Sequence, residues 1–334
     1  MSRLKLGVIG AGAWGRNHVR TAAGLAEGEL AAVCDTDARR REQLCRQYPG
    51  VHVTADATDL LGRVEAVVIA APAATHAPLA LQCVAAGKPC LVEKPFALST
   101  RDAEAVAHAA SERRVPVLAG HLLLFHPAVE RLRALVQGGE LGRIYYLYGL
   151  RVNLGQIRAD ENALWSFGPH DVSVALYLLG EAPVRVAAHG KSYLQPRVED
   201  VVFLTMEFAT GVLAHVQLSW LDPHKERKLT VVGAKKMVVF DDMEPREKLR
   251  IYDMGVERPP EYGSYGEALS IREGDIFIPK IPNVEPLAAE LSHFVRVARG
   301  AEPPRAGAAD GVRVVRVLEA ASRSLATSGA PVDL

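Results

Sequence analysis

The chain has 334 residues, of which 49% are hydrophobic and 23% charged, with 39 Lys plus Arg against 39 Asp plus Glu. That length suggests two domains, and that composition provides apolar material for real cores. A formal net charge of zero excludes the basic footprint of a general nucleic-acid binder, although a local cationic pocket for an anionic small molecule stays open. The four cysteines, Cys34, Cys45, Cys83 and Cys90, form no Cys-x-x-Cys pair and have no zinc-ligand spacing. They are expected to be buried small hydrophobes in a reducing cytosol, and no metal site is expected. The N-terminus lacks the apolar core of a signal peptide, and no apolar run is long enough to span a bilayer. A soluble cytoplasmic protein with no membrane partner is expected.

Along residues 1–120 short apolar runs alternate with helical stretches. LKLGVIG (4–10) reads as a buried strand, followed by a helix carrying Arg16, Asn17 and His18. ELAAVCD (29–35) is the next strand, then the charged helix ARRREQLCRQY, then VHVT (51–54), AVVIAA (66–71), PCLVE (89–93) and VPVLAG (115–120). Continuous apolar strands separated by helices predict a parallel sheet covered on both faces, a doubly wound Rossmann domain over 1–120. Beyond it the texture changes. PAVERLRALVQGGELG is a helix, RIYYLYGLRV a strand, and HDVSVALYLLG an apolar helix. VVFLTMEFATGVLAHVQLSWL (201–221) reads as a hairpin turning at Thr210-Gly211, with Val212, Ala214, Val216, Leu218 and Trp220 on one face of its second arm. RKLTVVG and KKMVVFDD add strands, 253–283 reads as an irregular loop, and helices at about 285–299 and 308–327 close the chain. Strands grouped in this way predict an α+β domain over 121–334, with a large, mostly antiparallel sheet open on one face.

Gly10, Gly12 and Gly15 form a G-x-G-x-x-G turn between the first strand and its helix. The first glycine permits the tight turn, the second admits a pyrophosphate to the backbone, and the third allows close packing of helix on strand. Ala13 and Trp14 lie between them, where free N–H groups and the positive helix end face the phosphates. Asp35 ends the second strand 20 residues after Gly15, placed to hydrogen-bond the adenosine ribose hydroxyls. A carboxylate there favours NAD over NADP. Thr36 points the same way, while Arg39 and Arg40 keep NADP open. At the end of the fifth strand CLVEKPFALST breaks into Glu93, Lys94 and Pro95, and Ser99 with Asp102 starts the next helix in the manner of a capping box.

The segments GVIGAGAWGRNH, IAAPAATHAPLALQCVAAGKPCLVEKPFAL and GELGRI resemble the glucose–fructose oxidoreductase, inositol dehydrogenase and rhizopine-catabolism (Gfo/Idh/MocA) family. The resemblance spans nearly the whole chain and is strongest through residue 150. It implies a Rossmann domain followed by an α/β domain whose open sheet forms the oligomer interface of a homodimer or homotetramer. It also implies that Lys94 is the catalytic lysine at the nicotinamide end, with a lowered pKa, in a Lys-Pro bond that is often cis, and that Glu93 orients Lys94 or a neighbouring loop. Ala71, Pro72, Thr75 and His76 would line the cofactor near its pyrophosphate and ribose. On sequence alone His76 is a first-turn helix residue capped by Thr75.

His170 resembles the family histidine that opens a helix of the substrate domain and transfers the substrate proton, a task its ordinary pKa suits. Read without the family, it belongs to a helix-capping His-Asp pair. Many members carry aspartates where this chain has Ser166 and Ser173, and Asp171 directly follows the histidine. His121 and His126 either line the cleft or pack in a core. Arg151, Asn153, Gln156, Arg158, Asn162 and Trp165 are suited to sugar hydroxyls, a carboxylate or a phosphate, in a segment resembling members that act on nucleotide sugars, in particular 3-dehydrogenases of UDP-N-acetylglucosaminuronate. The substrate contacts expected are Lys94, His121, Arg151, Asn153, Arg158, Trp165, Ser166 and His170. The implied activity is hydride transfer between nicotinamide C4 and a secondary alcohol or ketone of a sugar, nucleotide sugar or cyclitol. An NADP-linked ketosugar reductase and a dinucleotide-sensing regulator without chemistry are the alternatives.

Overall fold

The computed structural model describes residues 2–159, 161–257 and 270–334. The chain folds as two units, Met1–Phe125 with Val284–Arg316, and His126–Asn283 with Val317–Leu334. The boundary expected at 120 thus falls five residues later, and the stretch 284–316, expected in the second domain, belongs to the first unit. Helix α8 (Pro286–Ala298) gives the reason: Leu291, Phe294 and Val295 complete the apolar core around Leu6, Val8, Val33 and Val68.

The first unit contains β1 (Leu4–Ile9), α1 (Gly15–Ala23), β2 (Gly28–Cys34), α2 (Ala38–Gln47), β3 (His52–Thr54), α3 (Ala57–Leu61), β4 (Ala66–Ile69), α4 (His76–Ala85), β5 (Cys90–Glu93), α5 (Thr100–Arg113) and β6 (Val117–Gly120). The strands form one parallel sheet in the order β3-β2-β1-β4-β5-β6. This is the doubly wound Rossmann order, with its switch point between β1 and β4. β4, β5 and β6 are buried along their whole length, which is why they read as unbroken apolar runs. Ser99 caps α5 as expected, its Oγ accepting from Asp102 N at 3.1 Å. Cys34, Cys83 and Cys90 are buried, whereas Cys45 is exposed on polar α2, against expectation.

The second unit contains α6 (Pro127–Gln137), β7 (Ile144–Val152), α7 (Ala163–Leu179), β8 (Pro183–Lys191), β9 (Val201–Phe208), β10 (Leu213–Ser219), β11 (Glu226–Gly233), β12 (Met237–Asp241), β13 (Leu249–Tyr252), β14 (Gly255–Glu257), β15 (Ser270–Arg272), β16 (Ile276–Phe277) and β17 (Val332–Asp333). Helix α9 (Ala308–Ala326) runs on from the first unit. Nine strands form a sheet in the order β16-β13-β12-β11-β7-β10-β9-β8-β17, antiparallel except between β7 and β10. The hairpin turns at Gly211, whose φ of +84° suits glycine, and Val212, Ala214, Val216, Leu218 and Trp220 all face the core. The opposite face carries exposed Tyr146, Tyr148, Phe203 and Leu213. The stretch expected as an irregular loop forms strands instead, β14 pairing β15 and β16 pairing β13. Residues 258–269, part of that stretch, lie outside the described residues.

Asp200 anchors the turn between β8 and β9. It is fully buried and accepts from Trp220 Nε1 at 2.6 Å, Tyr193 N at 2.6 Å and Leu194 N at 2.9 Å. Asp200→Ala strands these donors and should lower unfolding stability by about 3 kcal/mol or more, read as a drop in the urea midpoint at unchanged slope.

Candidate functional site

The candidate residues of the first unit gather where its strands end, the edge at which ligands bind in doubly wound sheets. Gly10 follows β1 with φ +91°, and a Cβ on it would stand 2.6 Å from the Ala70 carbonyl oxygen. A Cβ on Gly15 would stand 2.0 Å from the Gly10 oxygen, so no side chain fits there. Gly12 differs, because a Cβ on it would meet only Arg40 Nη1, at 3.9 Å. The space above Gly12 is therefore open to a ligand. Ala13 and Trp14 are exposed beside it. Helix α1 starts without a side-chain cap and with no acid in its first turn, which leaves its N–H groups and positive end for an anion. Together with Asp35, these features fit a dinucleotide.

Asp35 is buried at the end of β2. Its Oδ2 accepts from Ala11 N and its Oδ1 from Asp37 N, each at 2.8 Å. Arg40 Nη1 lies 3.3 Å from both oxygens and is half exposed. The carboxylate so joins the glycine loop to the turn after β2.

Glu93 is the centre of the edge. Its Oε1 accepts from Trp14 Nε1 and from His18 Nε2, each at 2.6 Å, and its Oε2 accepts from the Lys94 backbone N–H at 3.0 Å. Burial alone would push this carboxyl up, but the His18, Trp14 and Lys94 donors outweigh it and hold Glu93 below the usual carboxylate range. Lys94 is half-buried and its bond to Pro95 is cis, as expected.

His76 is buried, with Nδ1 at 2.7 Å from the Pro95 oxygen and Nε2 at 2.8 Å from the Ala71 oxygen. The ring lies between these two backbone carbonyls, and its N–H can donate to one of them, so this histidine packs the Lys94-Pro95 turn against the turn after β4. Thr75 does not cap α4: its hydroxyl donates to the Pro72 oxygen at 2.7 Å. His121 is buried after β6, and burial holds its imidazole low, at about 4, so the ring is neutral at neutral pH. His126 caps α6, its Nδ1 accepting from Ala128 N at 3.1 Å.

In the second unit, α7 begins at Asn162, whose Oδ1 accepts from Trp165 N at 3.1 Å. His170 therefore does not open the helix. It lies in mid-helix directly after Pro169, half-buried, and the reading of a His-Asp capping pair fails. Proline there leaves the Trp165 carbonyl without its intrahelical N–H. Arg151 and Asp171 form a buried ion pair, Nε to Oδ2 at 2.5 Å and Nη2 to Oδ1 at 3.3 Å. Arg151, expected to meet substrate, is thus engaged by the acid beside His170. Ser173 Oγ donates to the His170 carbonyl at 2.9 Å and offers the imidazole no relay. Trp165 Nε1 donates to Ser322 Oγ at 3.0 Å, and Ser166 is buried. Arg158 is exposed and pairs with Glu161 at 3.0 Å, while Asn153 Oδ1 is buried without a partner among the described residues. Two residues escaped sequence reasoning, His18 and Glu290. Each stands on the apolar stripe of its helix, and that spacing was the available signal. Among the described residues no cluster of His, Cys, Asp and Glu could hold a metal ion, and no helix is long and apolar enough to cross a membrane.

Residues 4–121 match the family described as "Oxidoreductase family, NAD-binding Rossmann fold", and residues 129–239 match the GFO/IDH/MocA C-terminal domain. The chain is 31% identical to the UDP-N-acetylglucosamine 3-dehydrogenase of Acidithiobacillus ferrooxidans, over 96% of each protein. It is 33% identical to inositol 2-dehydrogenase 2 of Saccharopolyspora erythraea, over 64% of this chain and 66% of that protein. The crystal structure of GenD2 from gentamicin A biosynthesis, in complex with NAD, superposes with a TM-score of 0.84 at 27% identity, covering 100% of this chain and 97% of that one.

Gly12 and Gly15 should fail differently when given a methyl group. Gly12→Ala should keep the melting temperature and raise the NAD Kd about tenfold or more, read by calorimetric titration. Gly15→Ala should cost about 2 kcal/mol or more of stability, read as a lowered melting temperature.

Proposed function

Because the chain belongs to the Gfo/Idh/MocA family of NAD-binding oxidoreductases, we propose that it oxidises a ring hydroxyl of a nucleotide sugar, or reduces the matching ketone. The observation that carries this reading is the Glu93-Lys94-Pro95 turn at the carboxyl edge of the sheet, bonded through Glu93 to Trp14 of the glycine loop. NAD, when bound, supplies the nicotinamide carbon that accepts or returns the hydride. The chain's own part is to bind, orient and move a proton. Gly12 and the uncapped start of α1 receive the pyrophosphate, and Asp35 receives the adenosine ribose. Lys94 takes the proton of the substrate hydroxyl as the hydride leaves, and His170 is the second proton-handling residue. Asp171 does not orient the imidazole in this reading, since its carboxylate is bound by Arg151.

A nucleotide sugar is favoured over a cyclitol because the UDP-N-acetylglucosamine enzyme is 31% identical over 96% of this chain, whereas an inositol 2-dehydrogenase that matches over a similar length, 97%, is 25% identical. NAD is favoured over NADP because Asp35 would repel a 2′-phosphate, although Arg40 stands beside it. Free cysteines suit a reducing cytoplasm. Exposed Tyr146, Tyr148, Phe203 and Leu213 on the sheet suit pairing of two copies into a homodimer or homotetramer.

Lys94→Ala should abolish formation of reduced cofactor from NAD and UDP-N-acetylhexosamines while leaving the NAD Kd within about threefold. Unchanged turnover would refute the assignment. Tight NAD binding with no turnover on any UDP-sugar, inositol or aldose would favour a dinucleotide-sensing regulator.

A further inference from the structure

Glu290 is the most conspicuous group that this reading leaves unused. It stands on α8 between Leu287 and Leu291 and is fully buried. Neither of its carboxyl oxygens has a hydrogen-bond partner among the described residues. An ionised carboxylate in such a place is expensive, and a second negative charge near Glu93 makes it more so. Burial first, and then the Glu93 charge, push the Glu290 carboxyl well above its ordinary range.

Across from α8 packs α1, whose Val19, Ala22 and Leu25 share a core with Leu291, Phe294 and Val295. On that buried face of α1 stand His18 and, one turn on, Thr21. His18 Nδ1 and Thr21 Oγ1 are also buried without partners among the described residues. Glu93, as a carboxylate, only accepts, so the nitrogen facing it, His18 Nε2, carries the hydrogen. Nδ1 is the ring nitrogen left over, and a Glu290 carboxyl that carries its proton can donate toward it. A single buried water, making about three bonds, is the usual means by which such polar atoms on packed helices are satisfied.

We propose that Glu290 is a positioning residue for the reaction: its carboxyl donates, through one buried water, to His18 Nδ1, and so holds Glu93 where it fixes the Trp14 ring and the Lys94 backbone. The inference rests on the reading of Lys94 as the proton-transfer residue. The resulting chain runs from Glu290 through His18 to Glu93 and the Lys94 N–H.

The test compares Glu290→Gln and Glu290→Leu in the full-length protein. Glutamine keeps a neutral donor and should hold kcat within about threefold of the parent; leucine removes it and should lower kcat about tenfold or more at a similar KM for NAD. Leucine removes the donor to the bridging water and to His18 Nδ1, so it should also lower the melting temperature, whereas glutamine should hold it. The infrared difference spectrum between the parent and Glu290→Gln should show the C=O stretch of a protonated carboxylic acid at neutral pH. Parent-like kcat in Glu290→Leu, an equal loss in both variants, or absence of that band would each overturn the proposal. The band is read without turnover, so it still tests Glu290 should Lys94→Ala prove active and the reading of Lys94 fail.

Discussion

The candidate site depends on one carboxylate. Glu93 ends a fully buried strand, where a charge is tolerated only if its oxygens are well supplied with donors. Trp14 and His18 come from the glycine loop and helix α1, and the third donor is the peptide of Lys94. Charge-assisted bonds of this kind contribute about 1.5–3 kcal/mol each, enough to hold a loop and a strand end in one setting. The glycine loop and Lys94 are thereby held by the same group, 79 residues apart in sequence from Trp14. His76 adds a second brace, its ring lying between the Pro95 and Ala71 carbonyls.

The first unit was largely legible in the sequence. Its strands are buried on both faces, so their apolar runs are unbroken, and the glycines sit where steric limits leave no other residue. Asp35, Lys94 and the strand ends can be placed by counting. What the sequence could not convey is the partner of each polar side chain. His18 looked like one of several polar residues opening a helix, and only the packing shows that it points inward to Glu93. Glu290 was hidden by its apolar neighbours, and α8 was assigned to the second domain because chain order says nothing of which core a terminal helix completes.

The second unit was legible where alternation is strict, as in β9 and β10, and less so at α7. The family resemblance puts a helix start at His170, yet α7 begins at Ala163 with Asn162 as its cap and takes Pro169 into its interior. The pairing of Arg151 with Asp171 depends on the register between a strand and a helix twenty residues apart, which no local pattern encodes. Where the family resemblance puts aspartates near the histidine, this chain has Ser166 and Ser173. Ser173 does not substitute for one, since its hydroxyl is bound to its own helix.

Asp35 has a consequence for how cofactor preference could evolve. Its oxygens are already bonded to the Ala11 and Asp37 amides, so it is a staple of the glycine loop as well as the proposed reader of the ribose. A mutation that exchanges this acid to admit a 2′-phosphate would loosen the loop that must grip the pyrophosphate. Preference and loop order are therefore inherited together. The path of least resistance toward NADP keeps Asp35 and redirects Arg40, whose half-exposed guanidinium rests on Asp35 at 3.3 Å and on Asp37 at 3.6 Å.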